Sequence, residues 1–382
     1  MRIAIVINSS WNVFNFRKNL IHALLERGDE VIAIAPEDEY SKKLVAMGCE
    51  FYPVPMNTTG VNPIRDLLLL FRLIRIYKKV KADVFLHYTI KPGIYGTLAA
   101  KLAGSAAVIN NVSGLGTVFI QDNWVLSVAV QLYKHSFKFA DHIFFQNPDD
   151  KKLFISLVNP EGPSTSVIPG SGIDHHRFFP KFNTNGHFTF LMVARILVEK
   201  GVKEYVEAAR ILKGKGLNVK FLLLGQIEKK HLRAISAATV QQWHDEKVIE
   251  YVGVTDKVED WIARAHVVVL PSYREGLPKT LLEGAAMSRP LIASDVPGCN
   301  AVVHDGVTGL LCKERDVNSL ADAMQRMMFF TDKERSAMGE NARQHVITHF
   351  DDSFVVDEYL EKIDSYTSAE TPKTHQLKEV FG

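Results

Sequence analysis

The chain has 382 residues, 47% of them hydrophobic and 23% charged, with a formal net charge of +2. That length exceeds one ordinary domain, the composition provides an ample core, and the charge gives no global reason to bind nucleic acid. The three cysteines, Cys49, Cys299 and Cys312, are scattered without metal-ligand spacing and cannot all pair, which fits a reducing, cytosolic setting. The opening MRIAIVINSS carries too short an apolar run for a secretory signal and reads as a first strand. No stretch offers about 18 consecutive apolar residues, so no membrane span is expected.

RIAIVIN is followed by the helical pattern NFRKNLIHALLERG. The turn between them, INSSWNVFNF, contains no glycine, which argues against a dinucleotide fingerprint, and no Walker-type phosphate loop occurs anywhere. Trp11, Phe14 and Phe16 crowd this turn, either to stack on sugar rings or simply to pack. EVIAIAP, YSKKLVAMG and CEFYPVPM continue the alternation of strand and helix. A long helix then starts at Pro63, inside NPIRDLLLLFRLIRIYKKVK (residues 62–81), which holds six basic residues and one acid. At about 100° per residue, Arg65, Arg72, Arg75, Lys78 and Lys79 fall within one arc of roughly 140°. Ile64, Leu68 and Phe71 share that arc, while Leu67, Leu70, Leu73 and Ile74 fill much of the rest. Cations interleaved with apolar groups on an outer face suit an anionic membrane surface. The alternative is a core-packed helix with snorkelling basic side chains.

ADVFLHY reads as a strand with His87 near its end, and GIYGTLAAKLAG as a helix preceded by Lys91 in a loop. AAVINNV leads into a loop where Ser113, Gly114 and Gly116 can offer backbone N–H groups. The helix WVLSVAVQLYKHSFKFA and the strand HIFFQN close the first half. A Gly-, Pro- and Asn-rich stretch, TSVIPGSGIDHHRFFPKFNTNGH, marks a boundary, after which the alternation restarts at FTFLMVAR. The expected organisation is an α/β fold of two doubly wound, Rossmann-like domains facing across a cleft. Their expected limits are 1–170 for the first domain, 171–186 for a linker and 187–350 for the second domain. A helix at 351–367 is expected to return to the first domain, ahead of a tail at 368–382.

The chemistry concentrates in the second half. After the apolar run HVVVLPS comes SYREGLPKTLLEGAAM, with Glu275 in a turn and Glu283 in the second turn of the following helix. Pro278 suits the start of that helix because its missing N–H would be unpaired there. A strand feeding a helix through a tight turn aims free N–H groups at whatever lies above, which favours an anion. Two carboxylates beside an anion site hold hydroxyl groups attached to it, so a phosphate carrying sugars is expected. The alternative makes Glu275 a cap and leaves Glu283 in solvent. In VARILVEKGVKEYVEAA, Arg195 follows a buried strand and Lys200 stands five residues later at a helix start, where both can grip a diphosphate. Glu199 and Lys203 read as surface charges. The sequence contains no Asp-x-Asp to anchor a divalent ion, so Arg195 and Lys200 are expected to do a metal's work as the diphosphate departs. No metal or other cofactor is expected.

VVVLPSYREGLPKTLLEGAAMSRPLIASDVPG, with VARILVEKG, SVIPGSGID…FFP and HDGVTGLL, resembles glycosyltransferase family 4, whose members have the GT-B fold. The resemblance covers nearly the whole chain and is strongest in the second half. It implies that the first domain binds the acceptor and the second the nucleotide sugar, with Glu275 holding the donor sugar and Glu283 the nucleotide ribose. Gly276 and Leu277 belong to the same donor-binding turn, Arg195 and Lys200 hold the diphosphate, and anomeric configuration is retained. It further implies that Gly225, at the end of FLLLG, lets the nucleotide lie close, unless it is only a strand-ending turn, and that the backbone near Val252 meets the base, taken as uracil. The histidine that many members place after a middle strand of the first domain is absent from INNVSGLGTVF, which leaves the departing phosphate to accept the acceptor's proton. HYTIKPGIYGTLAAKLAG and NFRKNL look like bacterial enzymes that extend undecaprenyl-diphosphate-linked sugars, the N-acetylgalactosaminyltransferases of N-glycan assembly being nearest. Lys91 is then either a contact for acceptor or diphosphate or a solvated loop lysine. The implied reaction moves a hexose or N-acetylhexosamine from a nucleotide sugar to a lipid-linked saccharide at the cytoplasmic membrane face. A non-hydrolysing nucleotide-sugar epimerase and a regulator that binds nucleotide sugars without catalysis share the architecture.

Overall fold

The computed structural model describes residues 1–56, 62–104, 107–115, 119, 124–181, 186–228, 231 and 233–367; Gly116 lies outside them. Two parallel sheets organise the chain. The first holds β1 (Arg2–Val6), β2 (Glu30–Ala35), β3 (Glu50–Pro53), β4 (Val84–Tyr88), β5 (Ala107–Val112), β6 (His142–Phe145) and β7 (Ser164–Val167), in spatial order β3-β2-β1-β4-β5-β6-β7. β7 takes the start of the stretch that reads from sequence as a boundary loop, pairing Ser164–Val167 with β6. The second sheet holds β8 (Phe188–Val193), β9 (Val219–Leu224), β10 (Glu250–Gly253), β11 (Val267–Leu270), β12 (Leu291–Ser294) and β13 (Gly309–Cys312), in order β10-β9-β8-β11-β12-β13. Buried on both faces, β1, β4, β8 and β11 read as continuous apolar runs, as parallel strands do.

Each sheet reverses its direction of growth once, between β1 and β4 in the first and between β8 and β11 in the second. The crevice beyond the strand ends at such a reversal is where ligands of open α/β sheets bind. Above β1 stands α1 (Ser10–Glu26), whose N-terminus is capped by the Ser9 hydroxyl accepting from the Asn12 N–H. The chain crosses between domains twice, through the segment after β7 and again at Phe350–Asp352. The crossings touch: the Ile173 N–H donates to the Phe350 carbonyl at 2.8 Å, and Gly172 lies so close to Asp352 that a Cβ there would sit 2.3 Å from its Cα. The last helix, Asp352–Thr367, buries Val355, Tyr359 and Ile363 in one core with Val13, Leu20, Ile21 and Leu24 of α1. The spacing of four puts those three side chains on one face, and full burial of each contributes about 1.5–3 kcal/mol.

α2 (Glu39–Ala46) and α3 (Pro63–Val80) flank the first sheet. Asp66, Leu69, Leu73, Tyr77 and Val80 form the inner row of α3. Ile64, Leu67, Leu68 and Phe71 stay exposed, Ile64 by 72% and Phe71 by 60%, together with Arg72, Arg75, Lys78 and Lys79. Leu67 therefore joins the outer face, whereas Leu73 is core. Among the described residues no helix is long and apolar enough to cross a membrane.

Candidate active site

The loops after β8 and β11 meet at the reversal of the second sheet. Gly201, at φ +73°, lies against Pro271, whose carbonyl oxygen would be 2.0 Å from any Cβ. The Glu199 carbonyl accepts from the Tyr273 N–H at 2.9 Å and from the Ser272 hydroxyl at 3.1 Å. This stitching delivers the Lys200 ammonium to the Glu275 carboxylate, Nζ to Oε1 at 2.5 Å, with both side chains more than four-fifths buried. Arg195 stands at the same strand edge, exposed, and makes no ion pair with the described residues. Three of the expected site residues thus lie past strand ends at this reversal, two of them paired and the third without an ion pair among the described residues. Glu199 is not the surface charge it reads as: its side chain is 13% exposed, and Oε2 is buried without a hydrogen-bond partner.

Glu283 lies on the helix Lys279–Ala286, tied to β8 by the Thr280 hydroxyl donating to the Val193 carbonyl at 3.0 Å. At 9% exposure it is not a solvent-facing charge. Burial pushes its carboxyl up to about 7, against the pull of Lys279 and Arg177, and Glu259 adds to the rise. Lys279 is one helical turn before it and is itself pushed down by burial, its ammonium donating to the Asn15 carbonyl of α1 at 3.1 Å. Arg177 pairs with Glu259 at 3.0 Å. The carboxyl is thus buried under the electrostatic influence of both cations.

Gly225 is required by packing whatever binds. At φ +150° it sits where a Cβ would be 1.8 Å from the Ala194 carbonyl, and its N–H donates to the Gly253 carbonyl at 2.8 Å. Val252 falls in the register break between Tyr251 and Gly253, half-buried at the far end of the cleft. Past it, Asp256 accepts from the Tyr40 hydroxyl of α2 at 2.8 Å and approaches Lys43 at 3.4 Å, so the domains meet there as well.

The first domain meets the Glu275 turn directly. Gly276 has no room for a Cβ, because the Ser113 carbonyl would lie 2.6 Å away, and Gly114, at φ +118°, rests on the Gly276 backbone. Leu277 packs against Gly170. The Ser113 hydroxyl donates to Asn111 Oδ1 at 2.8 Å. Lys91, just past the end of β4, is not a solvated loop lysine but a partner for Asp66 of α3 at 2.6 Å, with Tyr95 also donating to Asp66. The reason is that Asp66 faces the core and needs a cation. His87 is wholly buried within β4 between the Tyr77 hydroxyl at 2.9 Å and Asn110 Oδ1 at 3.0 Å, and burial pushes it down to about 4. It is a neutral packing residue. Trp11 is partly exposed and packs edge-on against Phe16, and Phe14 packs against Tyr40. Sequence reasoning missed Asn147, Asp150, Arg274 and Lys279, although Asn-Pro-Asp-Asp is a legible helix start and Arg274 adjoins Glu275.

Two family models match, one in each domain: "Glycosyl transferase 4-like" over residues 2–147 and "Glycosyl transferases group 1" over residues 187–329. The chain belongs to this glycosyltransferase family. Among its relatives is the N,N'-diacetylbacillosaminyl-diphospho-undecaprenol alpha-1,3-N-acetylgalactosaminyltransferase of Campylobacter jejuni. It is 29% identical over 381 residues, covering 95% of this chain and 98% of that protein. The UDP-Gal:alpha-D-GlcNAc-diphosphoundecaprenol alpha-1,3-galactosyltransferase of Escherichia coli is 26% identical, over 78% of this chain and 79% of its own. In fold, the glycosyltransferase resembles sucrose-phosphate synthase of Thermosynechococcus elongatus, with a TM-score of 0.80 at 19% identity over 96% of this chain and 99% of that one. It also resembles Anabaena HepE, solved with UDP and glucose, with a TM-score of 0.77 at 17% identity over 96% of this chain and 100% of that one. The fold is GT-B, the arrangement the sequence motifs imply.

Proposed function

We propose that this glycosyltransferase moves a hexose or N-acetylhexosamine, with retention, from a UDP-sugar to an undecaprenyl-diphosphate-linked saccharide at the inner face of the cytoplasmic membrane, without a metal. The observation that carries the reading is the Lys200–Glu275 ion pair where the second sheet reverses, with Arg195 on the same loop after β8. Arg195 and the Lys200 ammonium balance the charge that grows on the diphosphate as it leaves, which is where preorganised cations act most strongly. Glu275, held by Lys200, accepts from hydroxyls of the donor sugar, and Glu283 from the ribose. Gly225 and the Val252 backbone flank the base. Ser113 and Gly114 border the sugar from the first domain, and the departing phosphate takes the acceptor's proton. UDP and the lipid-linked acceptor are supported by what the Campylobacter and Escherichia relatives are named for. The experiment is to incubate the full chain with UDP-hexoses and UDP-N-acetylhexosamines against undecaprenyl-diphosphate saccharides, reading products by mass spectrometry and anomeric configuration by NMR. We expect an α-linked product from an α-linked donor, undiminished in EDTA. An inverted product would overturn retention, loss in EDTA restored by Mn²⁺ or Mg²⁺ would overturn metal independence, and turnover of donor alone to an epimer would overturn transfer.

α3 supports the membrane placement, because Ile64, Leu67, Leu68 and Phe71 are exposed next to four cations. The chain is expected to sediment with anionic vesicles at low salt and much less with neutral ones. Each cation near such a surface contributes about 1 kcal/mol. Replacing Arg72, Arg75, Lys78 and Lys79 by Gln is expected to release the protein, lower transfer to a long-chain acceptor in vesicles, and spare transfer to a short soluble analogue. Equal loss of both activities would make the helix a purely structural element.

A further inference from the structure

Both residues that flank Glu275 are held from the opposite domain. Arg274 pairs through Nη2 with Asp150, whose side chain is completely buried and whose other oxygen accepts the Leu115 N–H at 3.3 Å. The Gly276 carbonyl accepts from the Asn147 side-chain amide at 2.7 Å. Asn147 acts twice: its oxygen caps the helix Pro148–Leu157 by accepting the Asp150 N–H at 2.7 Å, and its nitrogen reaches across the cleft. Gly276 fits between the Ser113 carbonyl and Gln146 Oε1 only because it lacks a Cβ. Glu275 itself is held from its own domain by Lys200.

We propose that Asn147 and Asp150 are positioning residues for the transfer, fixing the Glu275 turn in its working geometry only when the two domains are together. This rests on Glu275 contacting the donor sugar, as assigned above. If the domains part, the Asp150 carboxylate and the Arg274 guanidinium become hydrated and the Gly276 carbonyl loses its donor, so the turn is released on both sides of Glu275. Closing the cleft and aligning the sugar contact are then one event. The closed form also carries an unsatisfied group, since Arg274 Nε is buried without an acceptor. Such a group offsets part of what the Arg274–Asp150 pair contributes.

Asn147→Ser separates the two roles of Asn147. Serine caps a helix well but is too short to reach Gly276. The variant is expected to lower kcat roughly 10- to 100-fold, the scale of a small misplacement of a reacting group, while UDP affinity by calorimetry stays within about twofold, because the ribose and diphosphate contacts belong to the second domain. Asp150→Asn is expected to behave alike. If it fails to fold, Asn147→Ser decides alone. A merely structural role would lower the melting temperature and UDP affinity together with kcat, and that result, or an unchanged kcat, would overturn the proposal. Slow hydrolysis of the donor by water is read on the same samples. A wild type that binds UDP and hydrolyses the donor but transfers to no lipid-linked saccharide would refute the acceptor assignment. The ratio of wild-type to variant hydrolysis then still decides the positioning role.

Discussion

Lys200→Ala is expected to lower turnover by roughly 10²–10³, the cost of removing one preorganised charge from a group that develops charge in the transition state. Arg195→Ala is expected to fall in the same range. The two should differ in their second effect. Arg195 has no ion-pair partner among the described residues, so its loss leaves the rest of the rim in place. Lys200 is the partner of Glu275 at 2.5 Å, so its loss also leaves a carboxylate that is 12% exposed without its cation. Lys200→Ala should therefore weaken sugar-dependent donor binding as well as turnover, while Arg195→Ala shows itself mainly in turnover. Steady-state rates with calorimetry of donor and of UDP separate the effects. Rates within threefold of wild type for both variants would remove them from the site.

Glu283→Gln is expected to weaken binding of UDP and UDP-sugar alike, by roughly the worth of charge-assisted hydrogen bonds, about 1.5–3 kcal/mol or 10- to 150-fold. Glu275→Ala should spare UDP and damage transfer, because its contact is to the sugar. Glu283 also gives binding a pH signature. Its carboxyl titrates near 7 in the folded protein, and hydroxyl donors favour the charged form, so UDP affinity should rise as pH climbs through about 7 and level off above it. The Gln variant should lack that rise. The same shift has a stability consequence. The folded state holds this proton more tightly than the unfolded chain does, so the stabilisation is present at low pH and is lost as pH rises from the usual carboxylate range through about 7. The displacement from 4.5 to about 7 corresponds to something on the order of 3 kcal/mol. Glu283→Gln should accordingly melt several degrees higher than wild type at pH 8 and nearly equal to it at pH 4.5. An equal pH dependence in both proteins, or UDP binding lost as fully in Glu275→Ala, would refute these roles.

The alternation of buried runs with helical patterns made both sheets legible, because parallel strands covered on two faces leave no polar positions to confuse the pattern. The placement of Arg195, Lys200 and Glu275 was legible for a related reason: each follows a recognisable strand, at the edge where such sheets bind ligands. What could not be read is what depends on packing between distant segments. Lys91 reads as a free cation because Asp66, its partner, is 25 residues away on a helix whose inner face periodicity leaves ambiguous. Asn147 and Arg274 are ordinary polar residues until the domains meet, as their partners are 129 and 124 residues distant. Gly225 shows the converse. A glycine after a strand invites a ligand-binding role, whereas the Ala194 carbonyl already excludes any side chain there.

The return of the last helix to the first domain means that the unit of exchange between relatives is not a contiguous half of the gene. A hybrid cut near residue 170 would set a foreign Val355–Tyr359–Ile363 face against native α1, and would pair Asn111 with whatever replaced the Tyr359 hydroxyl it now meets at 2.8 Å. The first domain can be transplanted only by moving three pieces as two: that domain together with its terminal helix, around an inserted second domain. Recombination that respects this splice preserves the core of the first domain, and one that ignores it disrupts the domain it meant to conserve.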